Sequence, residues 1–328
     1  PSESSVIFSN TRAYLADVKS HSRATDAKIQ ETNYTGSRDT VLTFANELQL
    51  ADDLWLSSGL SFINIRRKAE IEGTTLTTPN PSHFPTSVEY VENDLAPRLG
   101  LRYQINPEFT VFSNVSRSID PPVTWQLGST SNPFLYDVRP QKATTFEVGV
   151  RGSHGIFDGS LTLYRSWVQK ELLTVVVRQA SATQDQLTAT SNASPTIHQG
   201  IEAGLSALLW AGANGDTLDL RQAYTLNDFH YRHDDTFGGN ELPSLPRQVY
   251  QAELAYRQAS GFYASLNLRA ASSYYIDYAN TWQAPSYVLW GAKVGYQAPS
   301  KKWEVFADLR NITDERYASA ANTAYNAN

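Results

Sequence analysis

Two of the six histidines, His230 and His233, stand in the run His230-Tyr231-Arg232-His233-Asp234-Asp235. Two imidazoles and two carboxylates so close together are the ingredients of a divalent-metal site. In a polar stretch the plainer reading, solvated side chains, is preferred, and no metal is assigned. Cys 0 and Met 0 leave no soft ligands for copper. No nucleotide fingerprint, HExxH motif or nucleophile elbow occurs, so no cofactor and no enzyme activity is expected. A second set is chemically richer. Trp125, Phe134, Tyr136, Tyr274, Tyr275, Tyr278 and Trp282 lie in polar stretches, with Arg139 nearby and Arg66, Arg67 and Lys68 near a strand tip. Stacking rings and guanidinium donors suit a large, aromatic, anionic ligand. A membrane-interface girdle accounts for the same rings one by one. As a set, Tyr274 to Trp282 is the strongest ligand-facing cluster.

The elements that would position these residues are strands. The chain of 328 residues is 41% hydrophobic and 18% charged, with net charge −6. No apolar run approaches the ~18 residues of a membrane helix, but a barrel needs none, because only alternate residues meet lipid. No Lys/Arg cluster suggests nucleic acid. With no initiator Met and no signal peptide, Pro1 is not expected to start a reading frame.

Period-two alternation recurs. Leu95, Leu99, Leu101, Tyr103 and Ile105 alternate with Asp94, Ala96, Arg98, Gly100, Arg102 and Gln104. Phe146, Val148 and Val150 alternate with Thr145, Glu147, Gly149 and Arg151. Thirteen strands are expected, starting near residues 6, 40, 54, 91, 109, 144, 159, 197, 216, 247, 262, 287 and 303. Two stretches, 54–72 and 159–178, are long enough to outrun a bilayer. Connections alternate. Tight ones fall at Asp52-Asp53, Asn106-Pro107, Ser153 to Phe157, Ala213 to Gly215, Ala259-Ser260 and Pro299 to Lys301. Long polar ones cover roughly 73–90, 120–143, 179–196, 229–246 and 275–286. Trp55, Tyr103, Phe109, Phe157, Trp210, Tyr256, Phe262, Tyr296 and Trp303 all lie close to a tight turn, as an interfacial aromatic girdle would. A soluble sandwich would alternate too, but its turns would not sort into short and long classes. Arg98, Arg102, Glu147, Arg151, Glu202, Asp219, Arg221, Glu253, Arg257, Arg269, Glu304, Asp308 and Arg310 are then expected to face a lumen. The fold class is all-β, a transmembrane antiparallel up-and-down barrel.

Several segments resemble the TonB-dependent outer-membrane receptors. Ala96-Pro97-Arg98-Leu99-Gly100-Leu101-Arg102-Tyr103, followed by Phe109 to Ile119, resembles one of their strand pairs. Pro140 to Arg151 resembles their "P-E-K-S-x-x-Y-E-L-G-x-K" strand. Leu242 to Arg247 resembles a Pro-rich strand entry, and Leu309 to Tyr317 the "N-L-x-D-x-x-Y" segment before the last strand. In this order, across about 220 residues, the resemblance is specific. It implies a 22-stranded barrel closed by an N-terminal plug, in the outer membrane of a Gram-negative bacterium. It implies import of a scarce bulky ligand, most often a ferric siderophore, driven by the TonB–ExbB–ExbD complex through the plug. Lipid and lipopolysaccharide are the expected surroundings, and a monomer the expected state. Neither plug, TonB box nor aromatic-ended terminal strand is found, so residues 1–328 are expected to be the C-terminal part of the barrel. Asn311 and Asp314 are expected to bond local backbone where a strand ends.

Three other readings remain. Thirteen strands plus one would make a passive channel of about fourteen. TonB-dependent uptake could serve another ligand: haem, cobalamin, or a zinc or copper complex. An outer-membrane protease or lipase would need clustered His, Asp or Ser at a loop rim, and only 230–235 comes close.

Overall fold

The computed structural model describes residues 3–9, 31–73, 87–127, 138–178, 187–321 and 323. The strands begin with β1 (Glu3–Ser9), β2 (Glu31–Ala51), β3 (Leu54–Gly73), β4 (Ser87–Gln104) and β5 (Phe109–Asp120). After a single helical turn, α1 (Thr124–Leu127), come β6 (Gln141–His154), β7 (Phe157–Gln169), β8 (Leu172–Arg178), β9 (Leu187–Asn192), β10 (Thr196–Ala211) and β11 (Thr217–Tyr231). The rest are β12 (Gln248–Arg257), β13 (Phe262–Ala271), β14 (Tyr274–Tyr275), β15 (Gln283–Ala284), β16 (Tyr287–Gln297) and β17 (Glu304–Leu309). Thirteen of them form one sheet in chain order, omitting only the separate hairpins β8–β9 and β14–β15. Every neighbouring pair is antiparallel.

The two faces differ as alternation requires. Residues directly opposite on paired strands share a face. Leu56 faces Leu101 and Phe62 faces Leu95. Val148 faces Leu163, which in turn faces Ile201. Many large side chains of this face, among them Leu95, Leu101, Leu163 and Leu266, are exposed by more than two-fifths of their surface. A water-soluble monomer rarely carries so extensive an apolar surface. Lipid is the solvent that suits it. On the opposite face Arg221 lies across from Glu253, and Lys293 across from Asp308.

The tight turns lie at one end and carry the expected aromatic row. Trp210 stacks on Tyr256, while Phe262 meets Tyr296 and Tyr296 meets Trp303 in tilted contacts, with ring centres 4.7–6.5 Å apart. Trp55 departs from the expectation. It lies opposite Arg102, whose guanidinium sits 4.0 Å above the ring, so it belongs to the charged face. Nearness to a turn does not fix parity, and Leu54 and Leu56 occupy the apolar positions beside it. Gly261 serves the turn between β12 and β13 at φ +106, where an added Cβ would meet Gln297 O at 2.1 Å. Asn311 accepts from the Glu315 amide and donates to its carbonyl, closing the chain after β17 as expected.

Neighbouring turns are stitched together by Asp216, which accepts from the Ala259 amide at 2.9 Å and the Tyr256 hydroxyl at 2.8 Å. The Ala259 amide first, then that hydroxyl, holds the carboxyl below its ordinary range. A depressed native pKa gives stability that is complete above the unfolded value of about 3.9 and is lost as pH falls through the folded value. Asp216→Asn is therefore expected to lower the unfolding midpoint at pH 7 and to flatten its decline below about pH 4. An unaltered acid limb in melting curves taken across pH would remove this role.

At the long-loop end the structure is more ordered than polar composition implies. β2, β3 and β4 run to 21, 20 and 18 residues, starting earlier than expected at positions 31 and 87 for β2 and β4. Such lengths outrun the ~9–11 residues that cross a bilayer. The stretch 159–178 is not one strand. Lys170 takes φ 55, the ladder ends at Gln169, and the following residues pair with β9 instead.

Candidate functional site

The described parts of the long loops pack into a layer on the charged face. In one part of it, Ile65 and Ala69 of β3, Val88 and Tyr90 of β4, and Ile119 of β5 pack against Leu127 of α1 and Val138. Arg67 lies at its edge with its side chain 3% exposed. Its guanidinium forks onto Asp39 of β2 at 2.5 and 3.0 Å, and Nε donates to Pro122 O at 2.7 Å. A buried cation is tolerable only with such full pairing. The Nε bond also fixes where the chain lies after it leaves β5.

The far foot of the same loop is held as firmly. Arg139 exchanges both backbone hydrogen bonds with the side-chain amide of Asn192, each 2.8 Å long. Its guanidinium lies over the Tyr90 ring, 4.5 Å from the centre. Leu172 N donates to Gln141 Oε1, so the root of the β8–β9 hairpin is bound to β6.

In another part, Tyr231, Leu242 and Tyr278 form an apolar knot with Leu173, Ala193, Phe229 and Phe237 around them. Tyr278 donates its hydroxyl to Thr174 O on β8 at 3.0 Å. Asn240 donates to Tyr278 O, and Asn280 bonds both backbone groups of Glu241. Asp277 organises the 275–282 turn, accepting from Thr281 N, Thr281 Oγ1 and Trp282 N. Burial pushes the Tyr231 phenol far above its ordinary pKa. Close by, Glu171 is buried and bonds the Thr196 hydroxyl, with His198 Nε2 3.3 Å away and stacked on Phe229.

Onto this layer the residues singled out from the sequence distribute unevenly. Tyr274 and Tyr278 are buried among the loops, and Tyr275 is half-buried with its carbonyl bonded to Ser244 N. Trp282 is 61% exposed and is the member of that cluster turned outward. Trp125 lies in α1, while Phe134 and Tyr136 fall outside the described residues. Arg66 pairs with Glu89 and Lys68 with Glu70 on the outer face, away from buried Arg67. His230 bonds Asp228 at 3.2 Å, and His233 is exposed. Among the described residues no three His, Asp or Glu side chains converge to hold a metal. Asp39, Asn192 and Asp277 were not legible as site residues, and only Asp277 had a local signal, a turn-forming carboxylate four residues before a threonine.

An antiparallel sheet with an apolar lipid face, a charged opposite face, tight turns at one end and interlocked loops at the other is the wall of a transmembrane β-barrel. The chain belongs to the TonB dependent receptor-like β-barrel family, which it matches over residues 7–312. It is similar to the probable TonB-dependent siderophore receptor PiuA of Acinetobacter baumannii, 23% identical over 200 residues, which cover 57% of this chain and 25% of that protein. Among solved structures it resembles the ferric yersiniabactin uptake receptor FyuA of Yersinia pestis, with TM-score 0.70 at 16% identity over 88% of this chain and 42% of that one. The copper transporter OprC is similar at TM-score 0.68 and 15% identity, over 90% and 44% of the respective chains. This chain thus spans a quarter of the curated relative and less than half of the solved ones.

Proposed function

We propose that this chain is part of the wall and loop mouth of an outer-membrane receptor that binds a ferric siderophore and imports it through the TonB complex. The observation that carries this reading is the family match over 7–312 together with likeness to a siderophore receptor. The thirteen strands would be the C-terminal part of a larger barrel in a Gram-negative outer membrane. The described loops support a mouth that recognises a bulky ligand. They expose Trp282 on a turn fixed by Asp277, and they fix the backbone of Arg139 through Asn192. A flat ring and a guanidinium are complementary to an aromatic, anionic chelate. For a copper complex these 328 residues offer no soft ligands, since Cys and Met are both 0.

Deletion of the receptor gene should abolish growth on some members of a ferric-siderophore panel under iron starvation, and plasmid-borne receptor should restore it. Growth unchanged on every member would overturn the reading. Within the mouth, Trp282→Ala is expected to cost about 0.5–1.5 kcal/mol of ligand affinity, a roughly two- to twelvefold rise in Kd. The receptor should still reach the membrane folded. Unchanged affinity would remove Trp282 from the site.

A further inference from the structure

Asn192, the last residue of β9, sits at the meeting of two loops. Its Oδ1 accepts from Arg139 N at 2.8 Å. Its Nδ2 donates to Arg139 O at 2.8 Å and to Lys170 O at 2.9 Å. The amide thus treats Arg139 as a neighbouring strand would, filling one donor and one acceptor at once. Among side chains of this size only an amide can do so, because a carboxylate lacks the donors and an aliphatic chain lacks both. Lys170, at φ 55, is where the chain leaves β7 for the β8–β9 hairpin. Ala193 N donates to Glu171 O beside it, which keeps Asn192 in register. Arg139 is half-buried, and its side chain goes to the face of Tyr90 on β4.

We propose that Asn192 is a positioning residue for ligand binding: it fixes the backbone of Arg139 so that the guanidinium is held at the mouth before ligand arrives. The proposal rests on the reading of this mouth as a receptor for an anionic chelate. Preorganisation of this kind raises affinity by removing the ordering cost from the binding step. It also makes a residue of the hairpin set a specificity element of the adjacent loop, though the two are 53 positions apart in sequence.

The test uses full-length receptor in detergent, with Asn192→Asp, Asn192→Ala, Arg139→Gln and the double variant Asn192→Ala/Arg139→Gln. The probe is the ferric complex of 2,3-dihydroxybenzoate, an anionic aromatic chelate, followed by tryptophan fluorescence. Both Asn192 variants are expected to raise Kd about tenfold, and the double variant to bind no more weakly than Arg139→Gln alone, as coupled residues do. Additive losses, or an Asn192→Ala Kd within about twofold of wild type while Arg139→Gln is impaired, overturn the proposal. Amide exchange at Arg139 is measured on the same proteins without ligand. It should accelerate at least about tenfold in Asn192→Ala while the strand amides of β6 stay protected. Equal exchange overturns the proposal even if wild type fails to bind the probe. Failure of wild type to bind, with Arg139 exchange accelerated, counts against the receptor reading for this ligand and leaves Asn192 as the backbone anchor.

Discussion

Leu163→Arg is expected to destabilise the protein in lipid by ~2–4 kcal/mol, while the adjacent Thr162→Arg is expected to cost nearly nothing. Leu163 is 46% exposed and stands in an apolar row with Val148 and Ile201. It lies six residues beyond Phe157, at the short-turn end of β7. At ~3.3 Å per residue and a ~40° tilt, that places it about 15 Å up a lipid band ~25 Å tall, near the midplane. A guanidinium there has neither water nor a counter-ion. Thr162 points to the other face, directly across from Glu202 on β10, so an arginine there gains a carboxylate neighbour. A third substitution, Phe157→Arg, falls at the interface and should cost only about 0–1 kcal/mol. Urea unfolding of receptor folded into lipid vesicles ranks the three. Equal costs at positions 162 and 163, or the reverse order, would contradict the assignment of faces.

That assignment of faces was legible in the sequence because it rests on strand parity, which any charged residue on a strand reveals. Arg98 and Arg102 mark one face of β4, and Leu99 and Leu101 the other, without reference to other strands. Trp55 shows the limit: its class was inferred from distance to a turn, whereas the Leu54–Leu56 pair around it already assigned it to the charged face. The end of β7 was hidden because a lysine, not a glycine, adopts the left-handed turn at position 170. The chain runs on into the apolar segment Leu172-Leu173-Thr174-Val175-Val176-Val177, which reads as more strand, and only the pairing partner changes. The loop rings were legible by type and not by direction. Tyr278 and Trp282 are both amphipathic and both in a polar stretch. One is spent on Thr174 and the apolar knot, and the other faces out, because Asp277 reverses the chain between them. Asn192 gave no signal, since its partner Arg139 stands 53 positions away, and Arg67 was legible as a cation near a strand tip but not as a buried anchor, since Pro122 stands 55 positions away.

Arg67→Ala should produce the largest loss in the loop layer. It removes a cation from a site where the side chain is 3% exposed and leaves Asp39 and the Pro122 carbonyl without it. Breaking a buried pair from one side costs ~3–5 kcal/mol. Asp39 is 36% exposed, so water recovers part of this and the lower end of the range applies. The loss should be local. Residues 123–127, which follow the Pro121-Pro122 pair that Arg67 anchors, should exchange their amides about a hundredfold faster, as expected for ~3 kcal/mol. The strand amides of β6 and β7 should be unaffected. Arg67→Lys tests the geometry: an ammonium keeps the charge opposite Asp39 but cannot present a fork to two carboxylate oxygens and a third donor to Pro122. It should fall between wild type and alanine. Arg67→Met with Asp39→Asn removes both charges and fills the volume beside Ile65 and Leu127, so it should recover much of the loss. If the double variant were as impaired as Arg67→Ala, the apolar packing rather than the ion pair would be what holds the loop. If Arg67→Ala left exchange at 123–127 unchanged, the Arg67–Pro122 bond would not be what holds the loop.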